Sequence, residues 1–198
     1  MRILFSSQNK GKQNEAKELL KSLDVDLVFP DQFKEFENFE VEETGSTFAE
    51  NSLLKATKYA ERVNLPSIAD DSGVIIDAMN GLPGIHSNRW FDGTSDQRNQ
   101  EVLNRLANIA DKDRTARYVT AACYYDPISK KHTIYEETVE GKIGYEITGD
   151  EGFDYDRIFI PNGYDKNFAQ LGNKIKNSMS QRSKAFNKIK LLIEKILK

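Results

Sequence analysis

The first thirty residues place the strongest limit on the fold. Arg2–Ser7 is a short apolar run that reads as a strand, and polar Gln8-Asn9-Lys10-Gly11-Lys12 follows it at once. Ala16, Leu19, Leu20 and Leu23 then recur at helical spacing, and Asp26–Pro30 reads as a second strand. Strand, loop, helix and strand in this order predict an α/β unit. Helices and strands keep alternating to the end, without an internal repeat, low-complexity tract or linker. The 198 residues therefore read as one α/β domain. A division into two lobes is compatible with the pattern, though no linker marks it.

Further along, Asp31–Gly45 is acidic and irregular. Thr47 and Glu50 have the form of a capping box, and Ala49, Leu53, Ala56, Ala60 and Val63 continue it as a helix that Asn64-Leu65-Pro66 stops. Ser67–Ala69 and Val74–Ala78 read as two short apolar runs around Asp70-Asp71-Ser72-Gly73. Asn80–Gly84 is a loop by composition. A helix is expected from about Ser95 to Ala110, with Val102, Leu103, Leu106 and Ile109 inward. Two long strands, Thr115–Tyr125 and His132–Gly141, flank a turn at Asp126–Ser129. Glycines at 141, 144, 149 and 152 break up the next stretch. Ile158–Ile160 is a strand fragment, and a last helix runs from about Ser180 to Leu197.

Charged residues are 30% and apolar residues 38% of the chain, a globular rather than a disordered balance. A single cysteine excludes an internal disulfide framework, and with two histidines it argues against a structural zinc site. No apolar run approaches a membrane span, and the first residues are too short an apolar run for a secretory signal, so a cytoplasmic protein is expected. The net charge of −3 argues against general nucleic-acid binding. Asn173–Lys198 nevertheless holds eight basic residues against one acidic, Glu194. That segment is either a solvated basic helix or a set of cations facing a polyanionic ligand.

Four constellations can carry chemistry. Ser7–Lys12 leaves a strand and enters a helix, where unpaired N–H groups and lysines favour phosphate, although P-loop spacing is absent. A surface turn would use the same residues. Glu42-Glu43 and Asp70-Asp71 are acidic pairs. The second lies between apolar runs, where adjacent carboxylates should repel unless a cation balances them. It reads as an Asp/Gly turn or as a Mg²⁺ site that also positions a water. Phe153-Asp154-Tyr155-Asp156 could stack a planar base or simply pack in the core. Lys174–Arg182 places Lys176 and Arg182 before or within the first turn of the last helix, and Arg offers a planar fork for oxygen acceptors. Cys123 reads as core. His86 and His132 lack a serine elbow, so no hydrolase triad is expected.

Taken together these pieces resemble the inosine triphosphate pyrophosphatase family. The matching text includes Ser7–Lys12, Glu42–Phe48, Glu50-Asn51, Leu54-Lys55-Ala56 and Ile68–Gly73. It continues through Asp77, Gly81-x-Pro83-Gly84, Gly152-Phe153-x-Tyr155-Asp156, Ile158-Phe159, and Lys176-Asn177 to Ser180-x-Arg182. The resemblance implies an α/β fold with an elongated mixed sheet flanked by helices, in two lobes around a central cleft, and a homodimer. It implies Mg²⁺-dependent cleavage of aberrant purine nucleoside triphosphates (ITP, dITP, XTP) to monophosphate and pyrophosphate. Asp71 matches the proton-accepting, metal-binding carboxylate and Glu42 a second metal acid. Ser7, Gln8, Asn9, Lys10, Gly11, Lys12, Lys55, Ser72, Phe153, Asp154, Tyr155, Asp156, Lys176, Gln181 and Arg182 match substrate positions.

Three departures concern the base end. The family's Gly-Tyr-Asp-Pro is Asp154-Tyr155-Asp156-Arg157, its Ser-His-Arg is Ser180-Gln181-Arg182, and its Tyr-Ser-Ala-Arg is His86-Ser87-Asn88-Arg89. Two rival readings are a haloacid-dehalogenase-type phosphatase using Asp154 and a nucleotide-binding regulator without turnover. No nucleic-acid or membrane partner is expected.

Overall fold

A computed structural model describes residues 1–198. Its six strands are β1 (Arg2–Phe5), β2 (Asp26–Val28), β3 (Ser67–Ile76), β4 (Thr115–Asp126), β5 (Lys131–Ile143) and β6 (Phe159–Pro161). They form one sheet in the order β2-β1-β3-β4-β5-β6. β1 is parallel to both β2 and β3, and β5 is antiparallel to β6, so the sheet is mixed and the class is α/β, as expected. The helices are α1 (Lys10–Leu20), α2 (Phe48–Val63), α3 (Ser95–Arg105), α4 (Phe168–Met179) and α5 (Gln181–Ile196). None is long and apolar enough to cross a membrane.

Two elements differ from the sequence reading. The break read at Asp70–Gly73 between two short apolar runs is instead the middle of β3, a continuous ten-residue strand. Polar residues hid it, because their charges are matched by partners far away in sequence. The basic stretch around Lys176 is also not the lead-in to the last helix. It belongs to α4, whose cap Asn167 accepts from Gln170 N–H and whose course is interrupted at Gly172 (φ +81°). The Thr47 box is half formed: Thr47 accepts from Glu50 N–H, while the Glu50 carboxylate accepts from Ser46 N–H and Oγ–H, both at 2.7 Å.

The chain divides into two compact units. The first comprises Met1–Asp71, Thr120–Glu137 and Arg182–Lys198. Strand alternation gives it two packed faces. Ile68 of β3 and Ala122 and Tyr124 of β4 pack with Ala16 and Leu20 of α1 and Phe186 and Ile189 of α5. One residue on, Ala69, Cys123 and Tyr125 pack with Ala56 and Ala60 of α2. Phe5 meets Phe29 and Phe186 edge-on, at 6.2 and 5.8 Å between centroids. Burying each such ring is worth about 1.5–3 kcal/mol. Cys123 is core, as expected, and burial pushes its thiol up to about 12.

The second unit, Ser72–Val119 and Thr138–Gln181, has its own core of Val74, Ile76, Leu106, Tyr118, Phe159 and Phe168. Arg114 is buried there without a carboxylate in contact. Its guanidinium donates to the carbonyls of Leu106 (2.7 Å), Ile143 (2.9 Å) and Gly144. Buried polar groups are tolerated when paired in this way.

Candidate active site

Successive side chains of a strand point to opposite faces. Asp70 therefore lies on the Ile68 face, with α1 and α5, and Asp71 on the Ala69 face, with α2. The two carboxylates do not confront each other across a turn, and each meets its own cation.

On the first face, Asp70 accepts from Lys12 Nζ at 3.0 Å and from Arg182 Nη2 at 3.2 Å. Arg182 also donates to Glu15, one turn beyond Lys12 on α1. All four side chains are nine-tenths or more buried. Burial alone would lower the pKa of Arg182, but the Glu15 and Asp70 charges more than offset it and hold the guanidinium charged. Two cations face two anions, so the group is formally neutral. The sequence reading did not single out Glu15. Its position three residues after Lys12 on one helix face was the available signal.

On the second face, Lys55 of α2 places Nζ 2.8 Å from Asp71 Oδ1 and 2.6 Å from Glu43 Oε1. Asn51 Nδ2 donates to Asp71 Oδ2 at 3.4 Å, and Asn51 Oδ1 accepts from Gly45 N–H at 2.8 Å. Burial would lower the pKa of Lys55, yet the Asp71 and Glu43 charges raise it overall, so the side chain is an ammonium. One cation here faces two anions. The expected metal acid Glu42 is exposed, and it is Glu43 that shares a partner with Asp71. No periodicity in the irregular 31–45 stretch could have told the two glutamates apart. No three acidic, His or Cys side chains gather into a metal cage. Two carboxylates converging on one cation do suit a Mg²⁺ ion, which takes its other oxygens from water and phosphate.

The Ser7–Lys12 loop is divided between two directions. Asn9 caps α1 by accepting from Lys12 N–H at 3.1 Å, and the first-turn N–H groups of Lys10 and Gly11 have no helical acceptor. Lys12 points to Asp70. Lys10 turns away, donating to Asp31 at 2.6 Å and to Gln13 at 3.2 Å, and lines a separate groove with Phe33 and Lys34. Gln8 donates to Phe39 O at 2.7 Å. Lys10 and Gln8 are thus not gathered with Lys12.

In the second unit, Lys176 Nζ lies 2.6 Å from Asp156 Oδ2, both side chains buried, and 4.5 Å from the centroid of the Phe153 ring. Asp156 Oδ2 also accepts from Phe153 N–H at 2.8 Å. Gly152 permits this: at φ +78° a Cβ there would stand 2.4 Å from Asp156 Oδ2. Tyr155 departs from its expected role. Its hydroxyl donates to Ser87 O at 2.6 Å and accepts from Trp90 Nε1 at 2.7 Å, and burial raises its pKa, so it is core rather than a stacking platform. Asp154 holds φ +53° while its carbonyl accepts from Ser95 Oγ and Asn99 Nδ2. Gln181 is 2% exposed, and its Oε1 has no hydrogen-bond partner. Ser72 follows Asp71 on β3.

The Ham1 family model matches residues 3–192. The chain is 38% identical over 194 residues to a protein named dITP/XTP pyrophosphatase from Oceanobacillus iheyensis, covering 95% of each. It is 37% identical over 199 residues to one of the same name from Aquifex aeolicus, covering 96% of this chain and 95% of the relative. Among solved structures, a HAM1 protein from Coxiella burnetii superposes with a TM-score of 0.86 at 33% identity, covering 98% of this chain and 99% of that one. The Staphylococcus aureus Ham1 protein gives 0.85 at 35% identity, covering 98% of both. Sequence and fold agree along nearly the whole chain, the two charge groups centred on β3 included in the matched span: this protein belongs to the Ham1 family.

Proposed function

We propose that the chain is a nucleoside triphosphate pyrophosphatase that cleaves noncanonical purine nucleoside triphosphates (ITP, dITP, XTP) between the α- and β-phosphates, giving monophosphate and pyrophosphate. The observation that carries the reading is the Glu43–Lys55–Asp71 group, which joins β3, α2 and the loop before α2 in a chain whose relatives bear pyrophosphatase names. Family membership makes the reaction class the natural one, and this group supplies the groups it needs.

Asp71 takes the proton of the attacking water, a role worth about 10²–10⁴-fold. Asn51 fixes the Asp71 carboxylate while it does so. Lys12 and the first-turn N–H groups of α1 hold the triphosphate and stabilise the charge that moves onto the leaving pyrophosphate. Glu43 and Asp71 would hold Mg²⁺, which neutralises phosphate charge and polarises phosphorus when bound. Phe153, Asp156, Lys176, Gln181 and Arg182 are assigned to the nucleoside end on the strength of the resemblance. Ser7, Asn9, Gly11 and Ser72 remain phosphate-side candidates. We assign residues 1–198 to one catalytic domain, acting as a cytoplasmic homodimer, on the same resemblance.

The test is product analysis after incubation with ITP and Mg²⁺. Pyrophosphate with IMP is expected. Orthophosphate with a phosphorylated Asp154 would indicate the dehalogenase-type phosphatase instead. Nucleotide binding without product would indicate a regulator.

A further inference from the structure

We propose that Lys55 is a removable internal counter-ion, closing the Glu43–Asp71 pair to divalent cations until an incoming polyphosphate draws its ammonium away. This rests on the reading of that pair as the cation site and adds to it a coupling between cation and nucleotide binding.

The geometry supplies the first argument. Lys55 Nζ contacts one oxygen of each carboxylate, at 2.6 and 2.8 Å, and so stands where a shared cation would stand. An ammonium and a divalent ion cannot both occupy that position, since like charges at such distance repel strongly even in a partly solvated site. Charge count is the second. One ammonium against two carboxylates gives these three side chains a formal charge of −1, whereas a divalent cation in the place of the ammonium would bring it to zero. The Asp70 group, with Lys12 and Arg182 against Asp70 and Glu15, has no such remainder.

The third argument is that only the lysine has to move. Its head sits on a flexible four-carbon stem. The Lys55 side chain is 13% exposed, Glu43 21% and Asp71 7%, so the group lies at the edge of the packed interior rather than deep within it. Asp71 has a partner besides it, and the loop that carries Glu43 is held at its backbone. Asn51 donates to Asp71 and accepts from Gly45 N–H, two residues from Glu43, and so ties both sides of the pair to α2. When Lys55 leaves, Asp71 keeps its Asn51 contact.

A site masked about 90–99% of the time shows an apparent affinity lowered about 10–100-fold. Phosphate oxygens that hold Lys55 elsewhere lift that mask. By linkage, a cation on the pair favours by the same factor the state in which Lys55 is free for phosphate.

The experiment is a titration of the full chain with Mn²⁺ alone, without nucleotide, followed by electron paramagnetic resonance. Wild type is compared with Lys55→Met and Lys55→Gln, two neutral replacements of similar length, and with Lys55→Arg, which keeps the charge. Circular dichroism verifies that each is folded. The neutral variants are expected to bind Mn²⁺ at least about tenfold tighter than wild type, and Lys55→Arg no tighter. Equal or weaker Mn²⁺ binding by the folded neutral variants overturns the inference. The same wild-type preparation is assayed for pyrophosphate from ITP with Mg²⁺. Pyrophosphate together with unchanged Mn²⁺ affinity in the variants defeats the role of Lys55 and leaves the reaction standing. Tighter Mn²⁺ binding without pyrophosphate from wild type defeats the reaction and supports the counter-ion.

Discussion

Asp70 and Asp71 are adjacent in one strand, yet their surroundings differ in stoichiometry. Asp70 shares two cations with one other acid, and the four charges sum to zero. Asp71 shares one cation with one other acid, and the group carries a negative remainder. The first arrangement resembles a structural fastening that ties β3 to α1 and α5. The second is a site with charge still to be balanced. Identity and burial are nearly the same for both residues, so the division of labour comes from strand alternation and from which helix lies above each face.

Breaking the Asp70 side should have the largest effect on stability. Asp70→Asn leaves Lys12 and Arg182 buried against Glu15 alone. Removing one partner of a buried ion pair costs about 3–5 kcal/mol. Urea unfolding of the variant against wild type measures it. A loss under about 1 kcal/mol would mean that the Asp70 group is not a fastening.

The second test asks how far Lys12 belongs to both sides. Lys12→Ala removes a cation assigned to the triphosphate. Hydrogen bonds to charged groups are worth about 1.5–3 kcal/mol, roughly 10–100-fold. The loss should appear in KM as well as kcat, and should be smaller for binding of IMP, which lacks the β- and γ-phosphates. Equal weakening of triphosphate and monophosphate would show that Lys12 serves Asp70 only.

The smallest effect is expected at the nucleoside end. The Gln181 amide can present either a donor or an acceptor. His in its place offers a fixed donor only in one protonation state. Gln181→His is expected to raise the ratio of kcat/KM for ITP over ATP, by roughly 2–10-fold on the scale of one net hydrogen bond. That ratio is measured in both proteins from pH 6 to pH 8, a range in which a side chain at position 181 changes charge only when it is His. An unchanged or lower ratio would remove Gln181 from base reading.

Much of this was legible in the sequence. The strand–loop–helix opening, the α2 and α3 spacings and the long β4 and β5 runs appear in the structure with small shifts at their ends. Asp71, Lys12, Lys55, Asp156 and Lys176 stand out in the sequence, and the structure supplies their partners. What was not legible depended on partners far away in the chain. Asp70-Asp71-Ser72-Gly73 has turn composition, and Lys12, Lys55 and Arg182, which balance its carboxylates inside a sheet strand, lie elsewhere in the chain. Glu43 differs from Glu42 only in which way an irregular loop faces. Tyr155 sits in a plausible stacking motif, but Ser87 and Trp90 claim its hydroxyl. Lys10 and Lys12 look alike in the phosphate loop until Asp31 takes one and Asp70 the other.

The most direct test of the division between the two faces is the turnover of ITP by Asp71→Asn and Asp70→Asn, at a temperature where both are folded. Asp71→Asn keeps the shape and removes the proposed proton acceptor. The account predicts a fall in kcat of at least ~10²-fold for Asp71→Asn, with a much smaller fall for Asp70→Asn. Near-wild-type turnover by Asp71→Asn, or equal losses in the two variants, would contradict it.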